Sequence, residues 1–394
     1  MSELLKFPRI LILQLLASFA TVAAILFTPA LPQVSKAFQL SAGQGQWPIT
    51  IYLFGFSFGP LLYGPLANRI GRKKALLLGI ALALVGSLFA FFASSFWFFC
   101  LGRFIQALGA VAGLKIVFTM VSDLHEGRSA AKVLAILLLG FAVVPGLGLA
   151  IGGCLTEVFG WKSCFGFLAL YSTILFLCIF TLPETAQGLD ASSFRLNRIL
   201  SGYFHQFRNI PLLLYAALMG LSVTMNYVFV TEAPYIGINI MGLSPGKYGL
   251  FGLVVSMGML IGLWMSHYMA GRVSSRREIM SGILACLAGA CLMAIFFSAR
   301  WLGGWSLFLP QALIQMGIGL IWVFAPAKSL SQVADKSNAS AVTQFLSMGC
   351  ATALTLFVGA FLPKGLFTMP AVFGILGLIM FGIWFSLLSR LKDN

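Results

Sequence analysis

Residues 64–74 read GPLANRIGRKK, with four cations in eleven residues and no acid. Apolar runs flank the stretch on both sides. Charge of this density is costly at membrane depth, and each flank is long enough for a crossing helix, which needs about 20 mostly apolar residues. The stretch therefore reads as a short loop between two crossings. A neutral residue, Asn68, stands in the middle of its charges.

The rest of the chain repeats that pattern. Of 394 residues, 60% are hydrophobic and 9% charged, against about a quarter charged in soluble domains. Mean hydropathy is +0.98. Water cannot be the main solvent of such a chain, and we read it as a polytopic, all-α membrane protein. Its net charge of +15 would suggest nucleic acid in a soluble protein. Here the cations gather in short segments between apolar runs, which is topology and not nucleic-acid binding. The seven cysteines lie in or beside apolar runs without a C-x-x-C pair, and the three histidines are scattered. This excludes a disulfide framework and a metal cluster. No phosphate loop or nucleophile–base set supports an enzyme, and no cofactor is expected.

Twelve crossings are predicted, at 7–32, 46–66, 74–96, 97–121, 132–156, 163–182, 211–236, 246–270, 278–299, 305–326, 339–361 and 369–389. The first is too long for a signal core and lacks a clear cleavage site, so it reads as a span. Eighteen of the 25 Lys and Arg fall on the side that carries both termini, five on the other, and Arg103 and Lys115 lie inside span 4. The positive-inside rule places the cation-rich side and both termini in the cytoplasm, in a multi-pass protein of the inner membrane. The longest connection separates two six-span halves, 1–185 and 211–394, with a cytoplasmic linker at 186–210. The loop ANRIGRKK (67–74) is echoed by AGRVSSRR (270–277) at an offset of 203, as in a parallel duplication.

These residues carry a resemblance. GPLANRIGRKK looks like the loop motif of the major facilitator superfamily. PALP (29–32), GRFIQALGA (102–110), PGLGLAIGG (145–153) and LPET (182–185) stand in matching order. In the second half, GLSPGKYGL (242–250) and NASAV (338–342) also match. Among subfamilies the chain is similar to the twelve-span drug:proton antiporters of Bcr/CflA type. The resemblance implies two pseudo-symmetric six-helix halves, alternating access, a monomer, a small-molecule substrate and a proton gradient as driving force. The motif's acid helps latch the halves in that family, and Asn68 replaces it here, so a looser latch is expected. Gly64 is expected to allow close helix approach, Gly71 to allow the turn, and Arg69 and Arg72 to hold the loop. In span 5, Pro145 with Gly148, Gly152 and Gly153 reads as the family's hinge or as tight packing.

Candidate transport residues follow. Arg103, with Gln106 at i+3, reads as proton-handling and substrate-binding in the family, or else as an anchor to backbone carbonyls. Lys115 lines the cavity or snorkels to the interface. The family's span 1 aspartate is Ile25 here. Glu232 is the membrane-embedded acid best placed to carry a proton, or else a wet interfacial residue. Asn226, Tyr227 and Tyr235 can orient a substrate beside it. Asp123 is expected to pair with loop cations. The leading reading is proton-coupled efflux of a small amphipathic solute. The alternatives are a siderophore or other organic-anion carrier, using Arg103 and Lys115, and a transport-inactive sensor.

Overall fold

The computed structural model describes residues 9–41, 43–124, 127–186, 188–189, 203–331, 333, 336–362 and 365–390. The expected linker falls largely outside these residues, as do Lys6, Arg195, Arg198, Lys364 and Lys392.

Twelve helices long and apolar enough to cross a membrane are present among the described residues. We number them as spans 1–12: Arg9–Ala37, Gln44–Ile70, Arg72–Phe91, Phe96–Leu124, Ala142–Phe159, Lys162–Ile179, Ile210–Ile240, Pro245–Met269, Ser275–Ser298, Gly304–Leu330, Asn338–Phe361 and Thr368–Leu387. The helix of span 5 itself begins at Gly127. Helices form because the hydrocarbon offers the backbone no partner, so every N–H and C=O must bond within its own segment. Outward faces stay apolar, as at Leu78, Leu170, Leu177 and Leu378, each more than half exposed. Trp47 and Trp97 meet edge to face, 5.3 Å apart, at the cation-poor end, where an interfacial aromatic belt belongs.

Sequence punctuation sets the helix ends and breaks. Asn209 accepts from the Leu212 N–H at 3.0 Å, with Pro211 following, and so opens span 7. Ser244 does the same for span 8 through Lys247, ahead of Pro245. PALP breaks span 1: the α-helix stops at Ile25, a 3-10 turn covers Thr28–Ala30, and helix resumes at Leu31. Pro234 removes an N–H from span 7, which continues as a wider π turn over Tyr235–Ile240.

The two halves repeat each other in their packing. A side chain on Gly79 or Gly86 of span 3 would strike span 4 at Gly109 or Gly102. On Gly282 or Gly289 of span 9 it would strike span 10 at Gly317 or Pro310. Span 9 thus echoes span 3 at an offset of 203, while span 10 echoes span 4 at 208. Four of the five extra residues lie in span 9, which has 24 residues where span 3 has 20, and the fifth in the connection that follows it. Arg103 and Gln311 therefore occupy equivalent places.

Candidate functional site

The opening loop is tied down inside the first half. Gly71 turns the chain at φ +95°, a backbone region that glycine enters without a Cβ penalty. The Glu184 carboxylate lies where a Cβ on Gly71 would point. Glu184 accepts the Arg72 and Lys73 N–H groups at 2.9 and 3.1 Å, capping span 3. It also accepts from Thr185 and Ala186. Burial pushes its carboxyl up, but the four backbone donors outweigh that and hold it below the usual carboxylate range. Arg72 reaches both Asp123 at 3.0 Å and Asn68 at 2.6 Å, so Asp123 does pair with a loop cation. Asn68 accepts from this arginine, not from a helix N-terminus. Gly64 faces open space, so the close approach expected there is not made in this structure.

Because Glu184 has a depressed pKa, its contribution is full above the ordinary carboxylate range and is lost as pH falls through the lowered value. Glu184→Ala is expected to cost about 1 kcal/mol at neutral pH, the usual worth of a helix cap, and to remove that acid dependence. Thermal unfolding in detergent across the acidic range measures both.

Arg103 is fully buried inside the first half. It donates to the Ala23 carbonyl at 2.8 Å, the Pro48 carbonyl at 3.4 Å and the Gln106 amide oxygen. Its guanidinium stacks 4.3 Å from the ring centres of Phe27 and Tyr52. Gln106 then donates to Ser87 at 2.7 Å. Spans 1, 2, 3 and 4 thus meet on one cation, in the geometry of a backbone anchor. Tyr227 of span 7 is buried and lies within reach of the same charge.

Lys115 points elsewhere. It follows Trp97 by 18 positions, five full helical turns, so it shares the azimuth of a residue 64% exposed on the outer flank. It is half-buried, and its ammonium has no hydrogen bond or ion pair among the described residues. A long stem on this flank can carry its ammonium toward the interface.

The halves meet most closely at the cation-poor end. Gln46, opening span 2, donates to the Glu232 carboxylate of span 7. Glu232 is 6% exposed and Gln46 is 1% exposed. Ser35 and Tyr235 share a hydrogen bond at 2.8 Å. Glu157 of span 5 accepts the Gly246 N–H at 2.6 Å and the Ser244 hydroxyl at 3.0 Å, capping span 8 across the interface. Below this, the small residues of span 5 divide their work. Gly152 meets the Leu26 carbonyl of span 1 and Gly148 meets Val22, both within the half. Gly153 lies against Pro245 and Gly249 of span 8, and the Gly146 N–H donates to Ser256 at 2.9 Å, both across it. Pro145 sits beside these contacts in mid-helix. This end of the molecule is closed.

In the second half, Gln315 of span 10 donates to Asn226 of span 7 at 3.3 Å, and the Trp322 indole donates to Ser222 at 3.3 Å. Gln46, Glu157 and Gln315 were not singled out from the sequence. Their partners stand 186, 89 and 89 positions away, a distance that no local motif spans.

Residues 10–351 match the family model described as Major Facilitator Superfamily. The chain belongs to the major facilitator superfamily. It is similar to an uncharacterized transporter of Rickettsia felis, at 30% identity over 75% of this chain and 73% of that one. It is also similar to multidrug resistance protein D of Escherichia coli, at 24% identity over 98% and 97%. A crystal structure of a peptide transporter in complex with sulfate shares the fold, with a TM-score of 0.77 and 15% identity over 98% of this chain and 96% of that one. Membership makes the chain a multi-pass protein of a transporter family.

Proposed function

We propose that this chain is a secondary active transporter that moves a small amphipathic solute outward across the cytoplasmic membrane in exchange for protons. The observation that carries the reading is Glu232. It is a titratable group buried at the closed end, and it bonds to the opposite half through Gln46. Gaining a proton there changes a charge-assisted hydrogen bond into a neutral one of roughly half the strength, and losing it restores the charge-assisted bond. The state of the gate and the state of the proton are thereby linked. The multidrug resistance proteins among the relatives support efflux as the direction. The cation-rich end, with both termini, is assigned to the cytoplasm by the charge bias. The proton gradient is the driving force, no bound cofactor is invoked, and the working unit is a monomer.

The organic-anion alternative required Arg103 and Lys115 to face one cavity. Arg103 is enclosed in the first half and Lys115 shares the outer flank with Trp97, so nothing in their placement favours it.

In proteoliposomes, Glu232→Gln is expected to leave solute exchange measurable and to remove its dependence on an imposed pH gradient. A variant whose flux still follows the gradient as the wild type does would sink the proposed role of Glu232.

A further inference from the structure

Span 10 is covered on two sides. Ala312 and Met316 abut Gly258 and Gly262 of span 8, while Pro310, Ile314 and Gly317 abut Gly289 and Gly282 of span 9. The remaining inward face, at i, i+4 and i+11 spacing, carries Gln311, Gln315 and Trp322, and two of these meet span 7. Gln311 is fully buried, and neither its amide nitrogen nor its amide oxygen has a hydrogen-bond partner among the described residues. The Gln315 amide oxygen is buried and unpartnered in the same way. Buried amides left unpaired are costly. Gln311 stands where the first half has Arg103, whose guanidinium makes three hydrogen bonds. The second half keeps the polar position and leaves its bonding capacity unused.

On spans 7 and 10 no charged side chain shares this face. Along spans 7 and 10 the charged residues are Glu232 and Lys328. Glu232 lies six positions beyond Asn226 and about 120° around the helix from it, on the face that meets Gln46, and Lys328 lies thirteen positions beyond Gln315, roughly 20 Å along the axis. The wall offers amide donors and acceptors side by side, with the half-buried indole of Trp322 as an apolar platform.

We propose that Gln311, Gln315 and Asn226 form the recognition site for an uncharged solute carrying both hydrogen-bond donors and acceptors, an amide or polyol joined to a planar apolar group that extends toward Trp322. This rests on the transporter reading above and names its substrate class. The solute's polar atoms satisfy Gln311 and Gln315, and an ionic solute is rejected because no opposite charge meets it there.

The test uses three congeners that share an indole ring: N-acetyltryptophanamide, its carboxylate N-acetyltryptophan, and the cation tryptamine. Ligand-induced thermal stabilisation of the purified full chain gives the concentration that each requires. The neutral amide is expected to act at about tenfold lower concentration than either charged congener. Gln311→Leu and Gln315→Leu are each expected to raise the amide requirement about tenfold, the effect of one lost buried hydrogen bond, and Gln311→Leu, which breaks no existing bond, to do so without lowering the unliganded melting temperature. Gln315→Glu is expected to turn the preference toward tryptamine, and it decides the matter if a leucine variant does not fold. The proposal is overturned by equal or tighter binding of a charged congener, by leucine variants that bind the amide unchanged, or by a wild type that none of the three stabilises. Solute flux separates it from the transport reading. Amide binding without flux sinks transport and leaves the site standing, whereas flux indifferent to Gln311 and Gln315 sinks the site alone.

Discussion

Arg103→Ala is expected to destabilise the first half by about 3 kcal/mol or more. The guanidinium holds the Ala23 and Pro48 carbonyls and the Gln106 amide, and packs on two aromatic rings. A hydrogen bond to a charged group is worth about 1.5–3 kcal/mol and a desolvated cation–π contact up to about 2. Truncation also opens a cavity at the junction of several helices. Arg103→Lys keeps the charge but offers a point donor in place of a planar fork, and is expected to recover less than half of the loss. Unfolding in detergent reads the stability, and flux per folded molecule reads the function. A lysine variant of wild-type stability that has lost proton coupling would overturn the anchor reading in favour of proton handling.

The second large effect is expected at the seam between spans 5 and 8. A Cβ on Gly153 would fall on the Pro245 carbonyl and 3.0 Å from the Gly249 Cα. Both obstacles are backbone, so no rotamer change relieves them. Gly153→Val is expected to hold the cation-poor end open. In a background without reactive native cysteines, labelling of Ser35→Cys by a membrane-impermeant maleimide added at that end should rise about tenfold. That follows from a shift of about 1.4 kcal/mol between open and closed states. Gly148→Ala is the control, because its added carbon meets Val22 at 3.8 Å, an ordinary contact. It should change labelling little and add helix propensity. Unchanged labelling in Gly153→Val would show that the seam does not govern closure.

The span count and the loop positions were legible because each crossing is an apolar run bounded by charge or by Pro and Gly. Predicted and observed spans differ at the start of span 5, where the helix begins at Gly127, and where such punctuation acts at a distance: span 1 continues to Ala37 past PALP, and span 7 to Ile240 past Pro234. The roles of particular residues were less legible. The sequence left Arg103 between anchor and proton handler, and the partners that give it an anchor's geometry are two carbonyls and two rings from other helices. Gln311 escaped notice for a simpler reason. The loop echo stands at an offset of 203, whereas the longer span 9 and the connection after it shift span 10 to 208, so the carboxamide does not align with the arginine at the equivalent place. Gln46 and Glu157 carry no motif, and only the meeting of the two halves gives them a task.

Part of the closed end is made of main-chain atoms. The Gly146 and Gly246 N–H groups and the approach of Gly153 to Pro245 and Gly249 form much of the seam. Main-chain geometry is the same whatever side chains stand beside it, provided that the glycines stay. The wall of spans 7 and 10 consists of side chains, each replaceable singly. Editing Gln311, Gln315 or Asn226 would therefore change the proposed recognition surface while the glycine contacts of the seam stay in place.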